Sequence, residues 1–161
     1  LYGARTDFRG KLLFNGISTS TLRMENWQEL RRRNIAYLPQ ELSLFPELTA
    51  LENVKLKNRL TGHFTSRRID ELFEQLGISS SRERPAGLLS IGQQQRVAII
   101  RTLCQPFDFL LIDEPVSHLD ARNNGIVASL IAEEADAQGA AVIATSVGNK
   151  ILLPFTQTLK L

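Results

Sequence analysis

The sequence has little cysteine, almost no excess of charge of either sign and no long apolar run. A single Cys in 161 residues excludes an internal disulfide framework and a zinc site built from several cysteines, and it fits a reducing compartment. Nineteen Lys and Arg against 17 Asp and Glu leave a net charge of +2, too small a surplus to predict nucleic-acid binding. No apolar run approaches the roughly 20 residues that a membrane-spanning helix needs. A cytoplasmic globular protein is therefore expected.

The apolar pattern predicts an α/β fold. A hydrophobic share of 43% is enough for one core, so a single domain over residues 1–161 is expected. Periodicity and turn residues predict strands at Lys11–Phe14, Ile35–Leu38, Phe107–Ile112, Ala140–Ala144 and Thr156–Leu161, helices at Thr21–Arg33, Ala50–Leu60, Arg67–Leu76 and Gly92–Leu103, and a last helix capped by Asp120 that runs to about Gln138. Strands joined by helical crossovers form mostly parallel sheets. A helical subdomain is expected at about residues 50–104.

Two adjacent carboxylates follow the most apolar strand candidate. Residues 109–115 (FLLIDEP) end a buried strand with Asp113 and Glu114, at the edge where α/β sheets bind ligands. Neighbouring residues of a strand point to opposite sides, so one carboxylate can hold Mg²⁺ while the other orients or deprotonates a water molecule. The alternative is a strand followed by an acidic turn that contains a proline.

A second motif opens the helix before this strand. Residues 89–96 (LSIGQQQR) place Ser90 and Gln93 at the spacing of a capping box, which explains those two residues only. A capping box requires neither the small Gly92 nor a run of three glutamines. A helix N-terminus that opens with Ser and Gly and carries amides is suited to binding phosphate.

These two motifs resemble those of the ATP-binding cassette (ABC) family. Residues 89–96 are similar to its signature motif, LSGGQ, with Ile91 in place of the first Gly. Residues 109–114 are similar to its Walker B strand, in which the Asp is followed by a catalytic glutamate. The resemblance implies a P-loop NTPase-like (RecA-like) parallel sheet with a helical subdomain.

Two further motifs of the family occur in the same order. Gln40, which ends residues 35–40 (IAYLPQ), resembles the glutamine of the Q-loop, and Asp120, which ends residues 117–120 (SHLD), resembles the aspartate of the D-loop. Four ordered motifs make the resemblance specific, and it covers essentially the whole chain.

One departure from the family is the phosphate-binding loop, G-x-x-x-x-G-K-[ST] (Walker A). Residues 3–12 contain a Gly-Lys pair, but its spacing from Gly3 is wrong and Leu12 has no hydroxyl for Mg²⁺. By comparison with the family, residues 1–3 look like the end of the P-loop helix, so we expect part of a longer protein that by itself binds ATP weakly or not at all. The family's sheet order would place the lost strand between those at 140–144 and 156–161.

The other departure is Ser146. The family usually has a histidine here, about 32 residues after Glu114, which contacts the γ-phosphate. Ser146 can donate a hydrogen bond but cannot carry a positive charge. Hydrolysis can therefore be slow, and a non-hydrolysing structural or regulatory cassette subunit is an alternative.

The resemblance implies the ATP-binding subunit of a transporter, an ATPase with ATP and Mg²⁺ as cofactors. It implies that Asp113 holds the metal, Glu114 acts as general base and Gln40 senses the γ-phosphate and metal, with Ser146 at the position of the switch histidine. In a homodimer or heterodimer of such subunits, the signature residues Ser90, Gly92 and Gln93 would contact the nucleotide of the opposite subunit, and Asp120 would communicate across the dimer. The subunit would lie at the inner face of the membrane against a transmembrane subunit.

The stretch from Leu38 to Val54 looks most like the lipoprotein-release, macrolide-export and cell-division branch. A cassette ATPase of DNA repair or translation is a rival interpretation. Repair members carry a long coiled coil, and no sustained heptad pattern occurs between Gln40 and Ser90. Translation-type members carry two cassettes, and one is visible here.

Other reactive side chains favour structural roles. His63 and His118 have no partner at ligand spacing, so a metal site there is not expected. Cys104 lies on the apolar face of its helix and is expected in the core. Residues 31–33 (RRR) are expected to be a solvated helix end, with no nucleic-acid partner.

Overall fold

The chain folds around a small parallel sheet, seen in a computed structural model that describes residues 2–3, 9–147 and 150–159. The strands are β1 (Leu13–Phe14), β2 (Ile17–Ser18), β3 (Ile35–Leu38), β4 (Phe109–Asp113) and β5 (Ala141–Thr145). The helices are α1 (Met24–Arg33), α2 (Ala50–Asn58), α3 (Ser66–Gln75), α4 (Ile91–Leu103) and α5 (Ala121–Gln138). Short 3₁₀ turns cover Thr19–Thr21, Ser79–Ser81 and Ala86–Leu88.

The parallel sheet has the order β3–β4–β5, and β1 and β2 form a separate antiparallel hairpin. Leu38, Ile112 and Ala144 lie side by side in the register of the sheet. The three strands therefore end at a common edge. Pro39 follows β3 directly, and it cannot donate to a sheet ladder.

Helices and sheet share one apolar core. α4 packs against α2, α3 and β3. Most of the largest fully buried side chains come from α3, α4, β3, β4 and α5, and they include Phe73, Ile99, Ile100, Leu110 and Ile131. β4 is buried on both sides because it is the middle strand, which is why its sequence is a continuous apolar run.

The predicted α/β class and parallel sheet are confirmed, and most elements differ from prediction by one to three residues. The strand predicted at Thr156–Leu161 is wrong over residues 156–159, which form no strand, and residues 160–161 lie outside the described part. Within the described residues, β5 pairs with β4 on one side and has no strand on the other. A strand needs a neighbour to pair its backbone N–H and C=O groups, and this polar segment has none. The first strand begins later than predicted and is half of a hairpin whose turn is Asn15–Gly16.

The end of α5 is fixed by Gly139, as the sequence predicts. Gly139 has φ 62° and ψ 29°, the left-handed conformation that commonly ends helices. We expect Gly139→Ala to destabilise the fold by about 1–2 kcal/mol, because a Cβ is unfavourable in this conformation. Space does not contribute, since a Cβ at Gly139 has no atom within 4 Å.

A matched control for this first prediction lies in the same helix. Gly125 also has open space around its Cβ position but no positive φ. Gly125→Ala should stabilise the fold by about 0.5–1 kcal/mol, because alanine loses less conformational freedom in a helix. Urea unfolding of both variants checks the pair, and a Gly139→Ala variant as stable as the parent would contradict the assignment.

Among the described residues, no helix is both long enough and apolar enough to cross a membrane.

Candidate functional site

The carboxyl edge of the parallel sheet brings three predicted site residues into equivalent positions. Gln40 is two residues beyond Leu38, Glu114 two beyond Ile112, and Ser146 two beyond Ala144, and those three strand residues are paired in register. Parallel strands therefore deliver all three side chains to one edge, where sheets of this kind bind ligands.

The two carboxylates at this edge have different surroundings. The hydroxyl of Thr145, on the neighbouring strand, donates a hydrogen bond to an Asp113 carboxylate oxygen. The backbone N–H of Val147 donates to the Glu114 carboxylate. Both carboxylates are half-buried. Asp113 and Glu114 therefore have different hydrogen-bond partners, which is compatible with the separate roles predicted for them.

Glu114 has a strained backbone. Its φ is 50°, a left-handed conformation that residues with a Cβ rarely adopt. The Glu114 N–H donates to the Thr145 carbonyl at 3.1 Å. Its carbonyl accepts from the Ser117 hydroxyl at 3.2 Å and from Gln95 Nε2 at 3.2 Å. Together these hydrogen bonds hold the backbone of Glu114, the predicted catalytic residue, in its unfavourable conformation.

Gln95 connects the signature helix to this edge. Its side chain is 1% exposed, and while Nε2 contacts Glu114, Oε1 accepts the N–H of His118 at 3.3 Å. The sequence indicated a run of three glutamines but not which one faces inward. Helical spacing could have found it, because Gln95 lies three and four residues before Ala98 and Ile99, both fully buried.

The capping box predicted for the signature motif is present. Ser90 Oγ accepts the Gln93 N–H at 3.3 Å, and Gln93 Oε1 accepts the Ser90 N–H at 3.0 Å. Gln93 Nε2 also donates to the Ser81 hydroxyl at 3.1 Å. Ser90 itself is exposed at the start of α4.

Gly92 and Asp120 lie at the contact between the signature helix and the segment after β4. A Cβ on Gly92 would come within 3.2 Å of the His118 carbonyl oxygen, so this close approach explains the small residue. Asp120 caps α5 by accepting the Asn123 N–H at 2.8 Å. This hydrogen bond is the main reason why the pKa of Asp120 is lowered. Arg96 Nη1 donates to Asn123 Oδ1 at 2.9 Å, which ties α4 to α5.

Cys104 lies in the core, as the sequence predicts. Burial is the main cause that raises the pKa of Cys104 to about 12, so its thiol is protonated at neutral pH. Over the described ranges, no group of three or more His, Cys, Asp or Glu side chains is arranged to hold a metal ion.

Three residues that the sequence did not single out contribute to the site. Thr145 donates a hydrogen bond to Asp113, and Gln95 donates one to the Glu114 carbonyl. Arg101 donates hydrogen bonds to the loop that follows Gln40. Each acts through a partner far away in the sequence, so local spacing gave no signal for Thr145 or Arg101.

A helix-flanked parallel sheet with paired carboxylates and a glutamine at one edge matches the class of P-loop nucleoside triphosphatase folds, to which the fold comparison also assigns it. A family model described as ABC transporter matches residues 1–117. The chain belongs to the ABC transporter family, which confirms the family resemblance predicted from the sequence.

Curated relatives support the same family. The chain is 37% identical over 149 residues to the phosphonates import ATP-binding protein PhnC of Rhizobium meliloti, covering 83% of this chain and 52% of that protein. It is 38% identical over 117 residues to an uncharacterized ABC transporter ATP-binding protein of Thermotoga maritima (71% and 50%). It is 37% identical over 116 residues to the lipopolysaccharide export system ATP-binding protein LptB of Haemophilus influenzae (70% and 47%). The chain thus spans about half the length of these relatives.

Solved structures agree on the fold. The dimeric structure of MJ0796, a bacterial ABC transporter cassette, superposes with a TM-score of 0.73 at 28% identity, covering 85% of this chain and 62% of that one. The post-hydrolysis state of the ATP-binding cassette MJ0796 bound to ADP and Pi gives 0.72. The fold described above is that of an ABC cassette.

Proposed function

We propose that these residues belong to the ATP-binding subunit of an ABC transporter, which couples ATP binding and hydrolysis to transport across a membrane. The register of the sheet carries the proposal, because it brings Gln40, Glu114 and Ser146 to one edge beside Asp113. The relatives named for phosphonate import and lipopolysaccharide export support it. Residues 1–161 would form one ATPase domain with its helical subdomain at about residues 50–104.

The donor set at Asp113 fits Mg²⁺. This ion prefers oxygen ligands and takes few protein carboxylates. Asp113 offers one carboxylate, held by the Thr145 hydroxyl, and Gln40 is positioned by register to offer an amide oxygen. When bound, the metal would neutralise charge on the phosphates.

Glu114 would act as the general base. Its carboxylate accepts only one hydrogen bond among the described residues, from the Val147 N–H, so acceptor capacity remains for a water molecule. Ser146 is exposed and precedes Val147. Its hydroxyl would face the position of that water molecule beside Glu114. Gln40 would sense metal and phosphate.

The phosphate cradle does not fit these residues alone. The 161 residues contain no G-x-x-x-x-G-K-[ST] sequence, and this loop supplies backbone N–H groups and a lysine to phosphates in P-loop proteins. The loop would have to come from outside these 161 residues, and we infer that the 161 residues by themselves are inactive.

The dimer would complete the site. The exposed Ser90, with Gly92 and Gln93, would contact the nucleotide of a second subunit, and Asp120 would lie at the same interface. The dimeric MJ0796 cassette supports this arrangement. The subunit would be cytoplasmic and held at the inner face of the membrane by a transmembrane subunit, without a nucleic-acid partner.

A non-hydrolysing structural or regulatory cassette subunit is the second candidate. Ser146, where the family usually has histidine, favours it, because a hydroxyl cannot supply the positive charge of an imidazolium.

The second prediction tests nucleotide binding. Titration of Mg-ATP into the full-length gene product should show binding, and the same titration into the 161-residue chain should show an affinity lower by about tenfold or more, the equivalent of 1.4 kcal/mol. The cause is the absence of the phosphate cradle from these residues. Failure of the full-length protein to bind would contradict the ATPase proposal and favour a structural cassette.

A further inference from the structure

The loop after β3 contains two consecutive residues in the left-handed conformation. Leu42 has φ 57° and Ser43 has φ 49°. Neither is glycine, and a side chain with a Cβ disfavours this region, so other contacts must hold the loop. Leu42 lies only two residues after Gln40, the predicted sensor of metal and phosphate.

Local contacts account for part of this conformation. The Leu42 N–H donates to the Pro39 carbonyl at 3.1 Å, and the Ser43 N–H donates to the Glu41 carbonyl at 2.6 Å. The Leu42 side chain is buried in the main core, whereas Ser43 is exposed. No side-chain packing therefore explains why Ser43 is left-handed.

Arg101, in the last turn of α4, holds both of these residues. Its Nη1 donates to the Ser43 carbonyl at 2.7 Å, and its Nη2 donates to the Leu42 carbonyl at 2.8 Å. The planar guanidinium fork is suited to two acceptors at once, which a lysine ammonium does not match. Over the described ranges, no carboxylate forms an ion pair with Arg101, so its hydrogen bonds go to the loop.

A second cation lies close to the Arg101 contact. Burial lowers the pKa of Arg101, so the charge is partly removed from water. Lys57 of α2 and Arg101 line one groove beside Ser43. The pKa of Lys57 is lowered mainly by burial and secondly by the charge of Arg101. Keeping two cations together has a cost that strong, charge-assisted hydrogen bonds to carbonyls offset.

We propose that Arg101 is a positioning residue for Gln40: it holds the backbone of Leu42 and Ser43 in the left-handed conformation and so fixes the loop that presents Gln40 at the sheet edge. The same helix begins at the signature motif, and the distance between its two ends is set by 13 helical residues. Arg101 thereby links the position of Gln40 to the position of the signature helix. The functional part of this inference rests on the proposed role of Gln40, and the conformational part does not.

The third prediction tests the conformational part by hydrogen exchange. In the full-length protein, Arg101→Ala should speed exchange of the amides of residues 40–44 by about tenfold, with a smaller change in the α3 and β4 amides. Arg101→Lys should behave like Arg101→Ala, because it keeps the charge but loses the fork. Far-UV circular dichroism confirms that each variant folds.

A second substitution separates positioning from general packing. Ser43→Gly removes the penalty of the left-handed conformation, so in the Arg101→Ala background it should recover about threefold or more of the lost protection. Ser43→Ala retains the Cβ and is the matched control, for which no recovery is expected. Equal effects of Gly and Ala at Ser43, or unchanged exchange in residues 40–44, would overturn the proposal.

Turnover provides the functional readout. If Gln40 acts as proposed, the loss of Mg-ATP turnover in Arg101→Ala should be partly restored by Ser43→Gly and not by Ser43→Ala. Rescue of exchange without rescue of turnover would overturn the link to Gln40. If the unaltered protein shows no turnover, the proposed ATPase function fails, while the exchange experiment still decides whether Arg101 holds the loop.

Discussion

Replacement of Glu114 by Gln is expected to lower Mg-ATP turnover of the full-length protein by about 10²–10⁴-fold, the typical contribution of a positioned general base. Nucleotide binding should persist, because Asp113, the proposed metal ligand, is unchanged. The amide has the same size as the carboxylate and can still accept the Val147 N–H, so the backbone around Glu114 should be retained. Steady-state turnover and Mg-ATP titration of both proteins, measured side by side, check this prediction.

Glu133→Gln is the control for the change of charge. Glu133 is exposed on α5 and lies outside the sheet edge, so its loss should leave turnover unchanged. Equal turnover in the Glu114→Gln and unaltered proteins would contradict the general-base assignment. If the unaltered protein binds Mg-ATP but shows no turnover, the non-hydrolysing subunit is the better account, with Ser146 as its physical reason.

The fold could be predicted where a local signal had one meaning. Pro39 ends β3 because it cannot pair, and Asp120 and Gly139 delimit α5 because one caps its first turn and the other adopts a left-handed conformation at its end. The apolar run before Asp113 predicted a strand buried on both sides, and β4 is the middle strand. In each case, covalent geometry or burial decides the outcome without reference to distant residues.

Pairing could not be predicted from local composition, although the family's sheet order already implied a gap beside β5. Thr156–Leu161 has a composition that permits a strand, but a strand exists only where a neighbour offers a ladder, and none lies beside β5 on that side in residues 150–159. For the same reason the sequence indicated a turn at Asn15–Gly16 without showing that β2 would pair with β1.

The candidate site also contains residues that local sequence predicts and residues that only the completed fold brings in. Gln40, Asp113 and Glu114 lie at or just after the ends of strands, so a parallel sheet is sufficient to bring them to one edge. The groups that hold them come from elsewhere in the chain: Thr145 reaches Asp113 across 32 residues, and Arg101 reaches Leu42 across 59. Motifs predict which side chains meet a ligand, whereas the contacts that orient those side chains depend on the completed fold.

Outside the carboxyl edge of the sheet, Gln95 is the residue whose replacement is expected to have the largest effect. We expect Gln95→Leu to destabilise the fold by about 1–3 kcal/mol, because a buried polar group left without a partner costs about that much. The His118 N–H would lose the acceptor it has in Gln95, whereas the Glu114 carbonyl would keep its bond from Ser117. Leucine is close to glutamine in size, so the cost comes from hydrogen bonding and not from a cavity.

Gln94→Leu is the matched control on the same turn of α4. Gln94 is only half-buried and donates one hydrogen bond, to the Leu89 carbonyl at 3.0 Å, so its replacement should cost about 1 kcal/mol or less. Urea unfolding gives both values. Because Gln95 also fixes the carbonyl of the strained Glu114, Gln95→Leu should lower turnover at temperatures where the variant is fully folded, and Gln94→Leu should not. Equal stability losses in the two variants would show that Gln95 is an ordinary helix residue with no specific part in holding Glu114.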